Sequence, residues 1–285
     1  MCDEWTAEDN EHHLSRRAFG AAAGAAGIAM MLPVAADAMP VKGRDVTITT
    51  PDGHCDAYFV APAGGRHPGV LMWPDIMGLR PAFRQMADRL AQSGYAVLVD
   101  NQFYRSTKAP FLKPGESFDQ PAVRDRIMPW REKLTPAATD SDARTFIAFL
   151  DKQPQVDTRR PLGTAGYCMG GPFVLRTAAV DPARVHAGAS FHGAALVTKD
   201  ADSPHLLVSK LRGAYLIAIA ENDDARSPGD KDALRAAFAA AKLPAAIAVY
   251  PGAMHGWCVI DSRVYNAQQA ERAWGGMLDL FKRTL

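Results

Sequence analysis

Cysteine is scarce in this chain, 4 of 285 residues, and neither a C-x-x-C pair nor a Cys/His zinc spacing occurs. That excludes a disulfide-stapled scaffold and a structural zinc site. An excess of one charge is lacking too: 32 Lys+Arg face 31 Asp+Glu, a formal net charge of +1. No basic stripe marks a nucleic-acid partner. No apolar run reaches the roughly 20 residues of a bilayer span, no G-x-G-x-x-G offers a dinucleotide loop, and no internal repeat is visible. What is there is a globular composition, 48% hydrophobic and 22% charged, with chain enough to bury a sizeable core.

The amino terminus reads as an address. Ser15-Arg16-Arg17-Ala18-Phe19 precedes a weakly apolar Ala/Gly-rich run over residues 20–32, then Pro33 and the small-residue sequence Ala36-Asp37-Ala38. This resembles a twin-arginine export signal with a cleavage site before Met39. The expectation is a signal at residues 1–38, recognised by export machinery, and an exported, periplasmic domain at residues 39–285. Cys2 would leave with the signal, so Cys55, Cys168 and Cys258 remain, an odd number in an oxidising compartment. A Cys55–Cys258 bridge is open at this point.

From residue 46 onward, short β-rich runs alternate with helical patterns, the signature of a single α/β domain with a mostly parallel central sheet and helices on both faces. Strands are predicted at residues 46–49, 56–60, 69–73, 96–99, 162–165, 187–191, 214–220 and 246–250. Residues 81–93 carry Phe83, Met86, Ala87, Leu90 and Ala91 in helical spacing, with Pro81 at the start and Gly94 just past the end. Trp274, Met277, Leu278 and Phe281 repeat the pattern near the carboxyl end. Residues 104–136 hold five prolines, among them Pro121, Pro129 and Pro136, and read as an irregular, lid-like excursion without long regular elements.

The strongest chemical signal is Gly166-Tyr167-Cys168-Met169-Gly170-Gly171, a strand running into G-x-C-x-G and then into a helix near Pro172. A nucleophile on such a strand-to-helix turn sits in a strained backbone, and Gly166 and Gly170 let strand and helix approach closely. The helix amino terminus favours thiolate at Cys168, and the Met169 N–H faces a developing oxyanion. A base and an orienting acid complete such a site, in the chain order nucleophile, acid, histidine. Asp223 follows the apolar run 214–220 and His255 follows the run 246–250, with spacings of 55 and 32 residues that suit helical crossovers. Glu221 and Asp224 are alternatives to Asp223. His186, His192, His205 and His255 share no i, i+4 spacing, so no metal is expected; His192, just past the run 187–191, reads as an ordinary surface or capping residue, with lining of the pocket as the alternative.

With Gly166–Gly171, the Glu221-Asn222-Asp223 stretch and Pro251–Gly256 on the page, the chain resembles the dienelactone hydrolase family, whose fold is that of the α/β-hydrolases. The resemblance implies a hydrolase of a small-molecule ester or lactone working through a Cys-His-Asp triad and a thioester acyl-enzyme, with no cofactor. On that resemblance Asp75, in Trp73-Pro74-Asp75-Ile76-Met77-Gly78, stands where the family has a glutamate that holds the resting cysteine. Ile76 becomes the second oxyanion N–H beside Met169. Tyr104 and Arg105 match the first of two substrate-carboxylate contacts. The second arginine belongs four residues after the histidine, where this chain has Val259; Arg263 lies further on. A monomer is the expectation. The rival reading is an exported non-catalytic protein on a hydrolase scaffold, with Cys168 as a ligand-binding or redox-sensitive thiol.

Overall fold

A computed structural model describes residues 38–285; the twin-arginine segment and the rest of the expected signal, through Asp37, lie outside the described residues. Eight strands form one sheet in the order β1-β2-β4-β3-β5-β6-β7-β8. They are β1 Val41–Thr50, β2 Gly53–Pro62, β3 Gly69–Trp73, β4 Ala96–Asp100, β5 Leu162–Tyr167, β6 Val185–Phe191, β7 Ala214–Ala220 and β8 Ala245–Tyr250. The β1–β2 hairpin and the β2–β4 pair are antiparallel, and every other pairing is parallel. The described helices are α1 Pro81–Gln92, α2 Pro121–Glu132, α3 Pro136–Asp151, α4 Gly171–Val180, α5 Glu221–Arg226, α6 Asp230–Ala240 and α7 Ala267–Thr284.

Strand alternation sends successive side chains into two cores. Val70 and Met72 of β3 join the core under α1 and α7, whereas Leu71 and Trp73 join the one under α2, α3, α4 and α6. Both faces being covered explains why β3 and β4 are buried throughout. The α1 stripe Phe83, Met86, Ala87, Leu90, Ala91 is fully buried, each large member worth about 2 kcal/mol over exposure. Pro81 opens that helix and Gly94, at φ 97°, stops it.

Two expectations change. Residues 121–132 form a twelve-residue helix despite their prolines: Pro121 occupies the first turn, where no N–H is needed, and Pro129 costs one hydrogen bond near the end. Pro136 likewise starts α3 behind the capping hydroxyl of Thr135. Cys55 and Cys258 are free, buried thiols belonging to opposite cores, so the sheet stands between them. Burial pushes both thiols far above the ordinary range, which leaves them inert.

The stretch between Cys168 and Asp223 contains β6 as well as α4, so the two come from β5 and β7 with one strand between them. Because β3, β5, β6, β7 and β8 run parallel, their carboxyl ends lie on one edge, and there the candidate residues gather.

Candidate active site

Strand β5 ends at Tyr167, and Cys168–Gly170 makes one 3₁₀ turn before α4 begins at Gly171. Cys168 has φ 52°, in the left-handed region that a non-glycine residue occupies only when its surroundings hold it there. Both flanking glycines are required by contact. A Cβ on Gly166 would lie 2.1 Å from the Gly170 carbonyl oxygen, and one on Gly170 would lie 2.6 Å from the carbonyl oxygens of Trp73 and Pro74. The turn therefore presses against the end of β3. Cys168 itself is 4% exposed.

The loop after β6 grips both backbone polar groups of Cys168. Its N–H donates to His192 Nδ1 at 3.1 Å, and its carbonyl accepts from the Ala194 N–H at 3.2 Å. His192 is 1% exposed, not the surface residue its sequence position suggests. The His192 and His255 rings meet edge to face at 5.0 Å, and Trp257 closes the other side at 5.1 Å. His192 thus links the cysteine turn to the histidine loop. Burial, with His255 adding to it, pushes the His192 pKa well below the ordinary histidine value, so the ring stays neutral.

Three consecutive residues at the end of β7 hold the His255 loop. The Glu221 carboxylate accepts the Gly252 N–H, the Asn222 amide oxygen accepts the His255 N–H at 2.8 Å, and Asp223 Oδ2 lies 2.7 Å from His255 Nδ1. A carboxylate can only accept, so Nδ1 donates, which fixes the tautomer of the ring. Asp224 turns to Lys231 instead, at 2.7 Å. Of these three neighbouring acids, Asp223 is the one bonded to the His255 ring. Sequence reasoning assigned no role to Asn222 and weighed Glu221 only as an alternative acid, although their places beside Asp223 were the available signal.

Asp75 and Ile76 lie on the loop after β3. The Asp75 carboxylate is held by the Arg80 guanidinium at 2.7 and 2.9 Å and by the Met77 N–H at 2.8 Å, while its carbonyl takes Gln102 Nε2 at 2.7 Å. Arg80 also reaches Asp261 at 2.7 Å. This Asp75–Arg80 clamp was not legible from the family pattern. It fixes the loop on which the buried Ile76 sits.

Tyr104 and Arg105 are engaged elsewhere. Arg105 makes a two-pronged pair with Asp142, at 2.7 and 2.8 Å, and reaches Asp52 at 2.6 Å; the Tyr104 hydroxyl donates to Asp142 at 2.7 Å. Val259 is buried, and Arg263 pairs at the surface with Asp119. Beside Met169 a cavity of about 380 Å³ opens between the 131–136 connection, α4 and the loop after β6, with Leu134, Phe173, Ala194 and Ala195 in its wall.

Residues 55–285 match the model of the dienelactone hydrolase family, and the chain belongs to that family. It is 29% identical over 284 residues to a protein of Methylorubrum extorquens named "Putative carboxymethylenebutenolidase", with 95% of this chain and 93% of the other covered. It is 26% identical over 219 residues to the carboxymethylenebutenolidase of Rhodococcus opacus, covering 76% and 81%. Among solved structures, a "Putative Dienelactone Hydrolase" from Klebsiella pneumoniae superposes with a TM-score of 0.74 at 24% identity, covering 86% of this chain and 99% of that one, which shows the shared α/β fold.

Proposed function

We propose that the protein hydrolyses a small-molecule ester or lactone with Cys168 as nucleophile. The observation that carries this reading is the left-handed Cys168 at the strand-to-helix turn, tied through His192 to a His255 whose Nδ1 is held by Asp223. His255 takes the Cys168 proton, and the thiolate attacks the carbonyl carbon. The N–H groups of Met169 and Ile76 receive the oxyanion. Collapse breaks the C–O bond, and His255 gives the proton to the departing alkoxide. His255 then deprotonates water, which attacks the thioester and releases the acid, restoring the thiol.

Asp75 contributes by holding the Ile76 loop through Arg80. Substrate recognition falls to the cavity beside Met169. Arg105, which family resemblance assigns to a substrate carboxylate, spends its hydrogen bonds on Asp52 and Asp142. Family membership favours a hydrolase over the non-catalytic thiol reading.

The direct test is hydrolysis of 4-nitrophenyl butyrate under a thiol reductant by residues 39–285, beside Cys168→Ala. Turnover that vanishes in the variant supports the reading; equal turnover sinks it. We further propose that residues 1–38 direct export by the twin-arginine route. A full-length chain carrying Arg16→Lys and Arg17→Lys should then stay in the cytoplasm on fractionation while wild type reaches the periplasm; equal distribution of the two would remove that proposal.

A further inference from the structure

We infer that His192 is a positioning residue for the nucleophile: its Nδ1 holds the backbone N–H of Cys168 and thereby fixes the strained turn from which thiol and oxyanion donor both project. The inference rests on the ester-hydrolase reading above and adds a residue to that site.

Three observations carry it. The 3.1 Å contact makes Nδ1 an acceptor, which puts the ring proton of a neutral imidazole on Nε2. Nε2 has no hydrogen-bond partner among the described residues, so the ring's one protein hydrogen bond goes to the backbone of Cys168. A fully buried imidazole gives up its hydration and is otherwise an expensive residue to keep in a core. Its cost is offset here by a bond to the nucleophile.

The backbone adds the third observation. His192 has φ 39° and Cys168 has φ 52°, so two left-handed non-glycine residues face each other across this one hydrogen bond. Two residues later the Ala194 N–H closes on the Cys168 carbonyl. With both its backbone groups held, Cys168 cannot relax toward ordinary helical or extended geometry without breaking a bond to the β6 loop. Relaxation would turn the Cys168 side chain and the next N–H, that of Met169, together. His192 also packs its ring against His255, so the same side chain sets the nucleophile's backbone and one wall of the base. Its neutrality suits that place, since a second cation at 5.0 Å would oppose the imidazolium that His255 becomes during turnover.

The acceptor and the backbone preference can be separated. Asn places its Oδ1 the same number of bonds from the backbone as His Nδ1 and tolerates positive φ; Gly tolerates positive φ but supplies no acceptor. The experiment compares His192→Gly and His192→Asn with wild type, reading kcat and KM on 4-nitrophenyl butyrate, the iodoacetamide alkylation rate of reduced Cys168, and the thermal midpoint. For His192→Gly the expected result is a kcat lower by about tenfold or more with KM changed less than about threefold, the pattern of a lost transition-state arrangement. Alkylation of Cys168 should slow as well, and His192→Asn should recover most of both. Equal kcat and equal alkylation in the Gly and Asn variants would overturn the inference, as would losses that track the thermal midpoint alone. If wild type fails to turn over any ester, the hydrolase reading fails by itself, while the alkylation ratio of the two variants still decides whether His192 positions Cys168.

Discussion

The carboxylate of Asp75 lies 2.7 Å from the guanidinium of Arg80, with both side chains at least nine-tenths buried. Arg80 extends a second arm to the half-exposed Asp261. A buried ion pair is costly to break from one side, because the abandoned charge keeps its desolvation penalty. Arg80→Met should lower stability by about 3 kcal/mol in urea unfolding, and esterase activity should fall with it as the Ile76 loop loosens. Adding Asp75→Asn should recover part of that stability, since the orphaned charge goes too. Additive losses would show that the pair is not coupled.

Asp223 and Asp224 are neighbours with different partners, His255 and Lys231. Asp223→Asn should cut kcat by roughly 100-fold with little change in the thermal midpoint, because the imidazole loses the acceptor that sets its tautomer. Asp224→Asn should leave kcat within about twofold, as expected of a partly exposed pair of small energetic weight. Steady-state kinetics on the two variants checks both halves.

Arg105 is 12% exposed and Asp142 is 1% exposed, so their pair ties α3 to the loop after β4, with Asp52 of the β1–β2 turn as the second partner of Arg105. Arg105→Met should destabilise by about 3 kcal/mol. The ratio of kcat/KM for mono-4-nitrophenyl glutarate over 4-nitrophenyl butyrate should stay the same. A selective loss on the glutarate would return Arg105 to the substrate.

Asp100, at the end of β4, is completely buried, and neither carboxyl oxygen has a partner among the described residues. Burial, with Asp142 adding to it, pushes its pKa well above the ordinary carboxylate range. The folded chain therefore keeps a proton that the unfolded chain loses above about pH 4. Native protons exceed unfolded ones, so this group's contribution to stability falls as pH rises. Asp100→Asn should gain on wild type in urea midpoint as pH increases from 4 to 8. A constant difference across that window would mean that Asp100 is ionised in the fold.

The parts of the fold legible in the sequence are those whose signal is local. The α1 stripe from Phe83 to Ala91 and its Pro81 and Gly94 boundaries depend on neighbours within a few turns, and the G-x-C-x-G turn carries its own steric reason. The edge strand β1 was read short, at 46–49 against 41–50, because Lys42 and Arg44 face solvent and leave little apolar alternation. Helix α2 is hidden in the sequence because its prolines carry a breaker signal, which Pro121 escapes by occupying the first turn. At the candidate site, the strained turn at Cys168 and the contact between Asp223 and His255 agree with what motif and chain order suggest. The partners of Arg105 and His192 were not legible in the sequence, because they join distant segments: Arg105 with Asp142 spans 37 residues and Cys168 with His192 spans 24. Asp75 meets Arg80 only five residues on, in a clamp whose other arm reaches Asp261 across 181 residues.

The central claim is that Cys168 carries the acyl group. Reduced protein, residues 39–285, mixed with 4-nitrophenyl butyrate and quenched in acid within the first turnover, should show on intact-mass and peptide mass spectrometry a butyryl adduct on the peptide containing Cys168. That adduct should form far more slowly in His255→Ala, which lacks the base for the thiol, and be absent from Cys168→Ala. An adduct on another residue, or ester turnover with none on Cys168, would contradict the account.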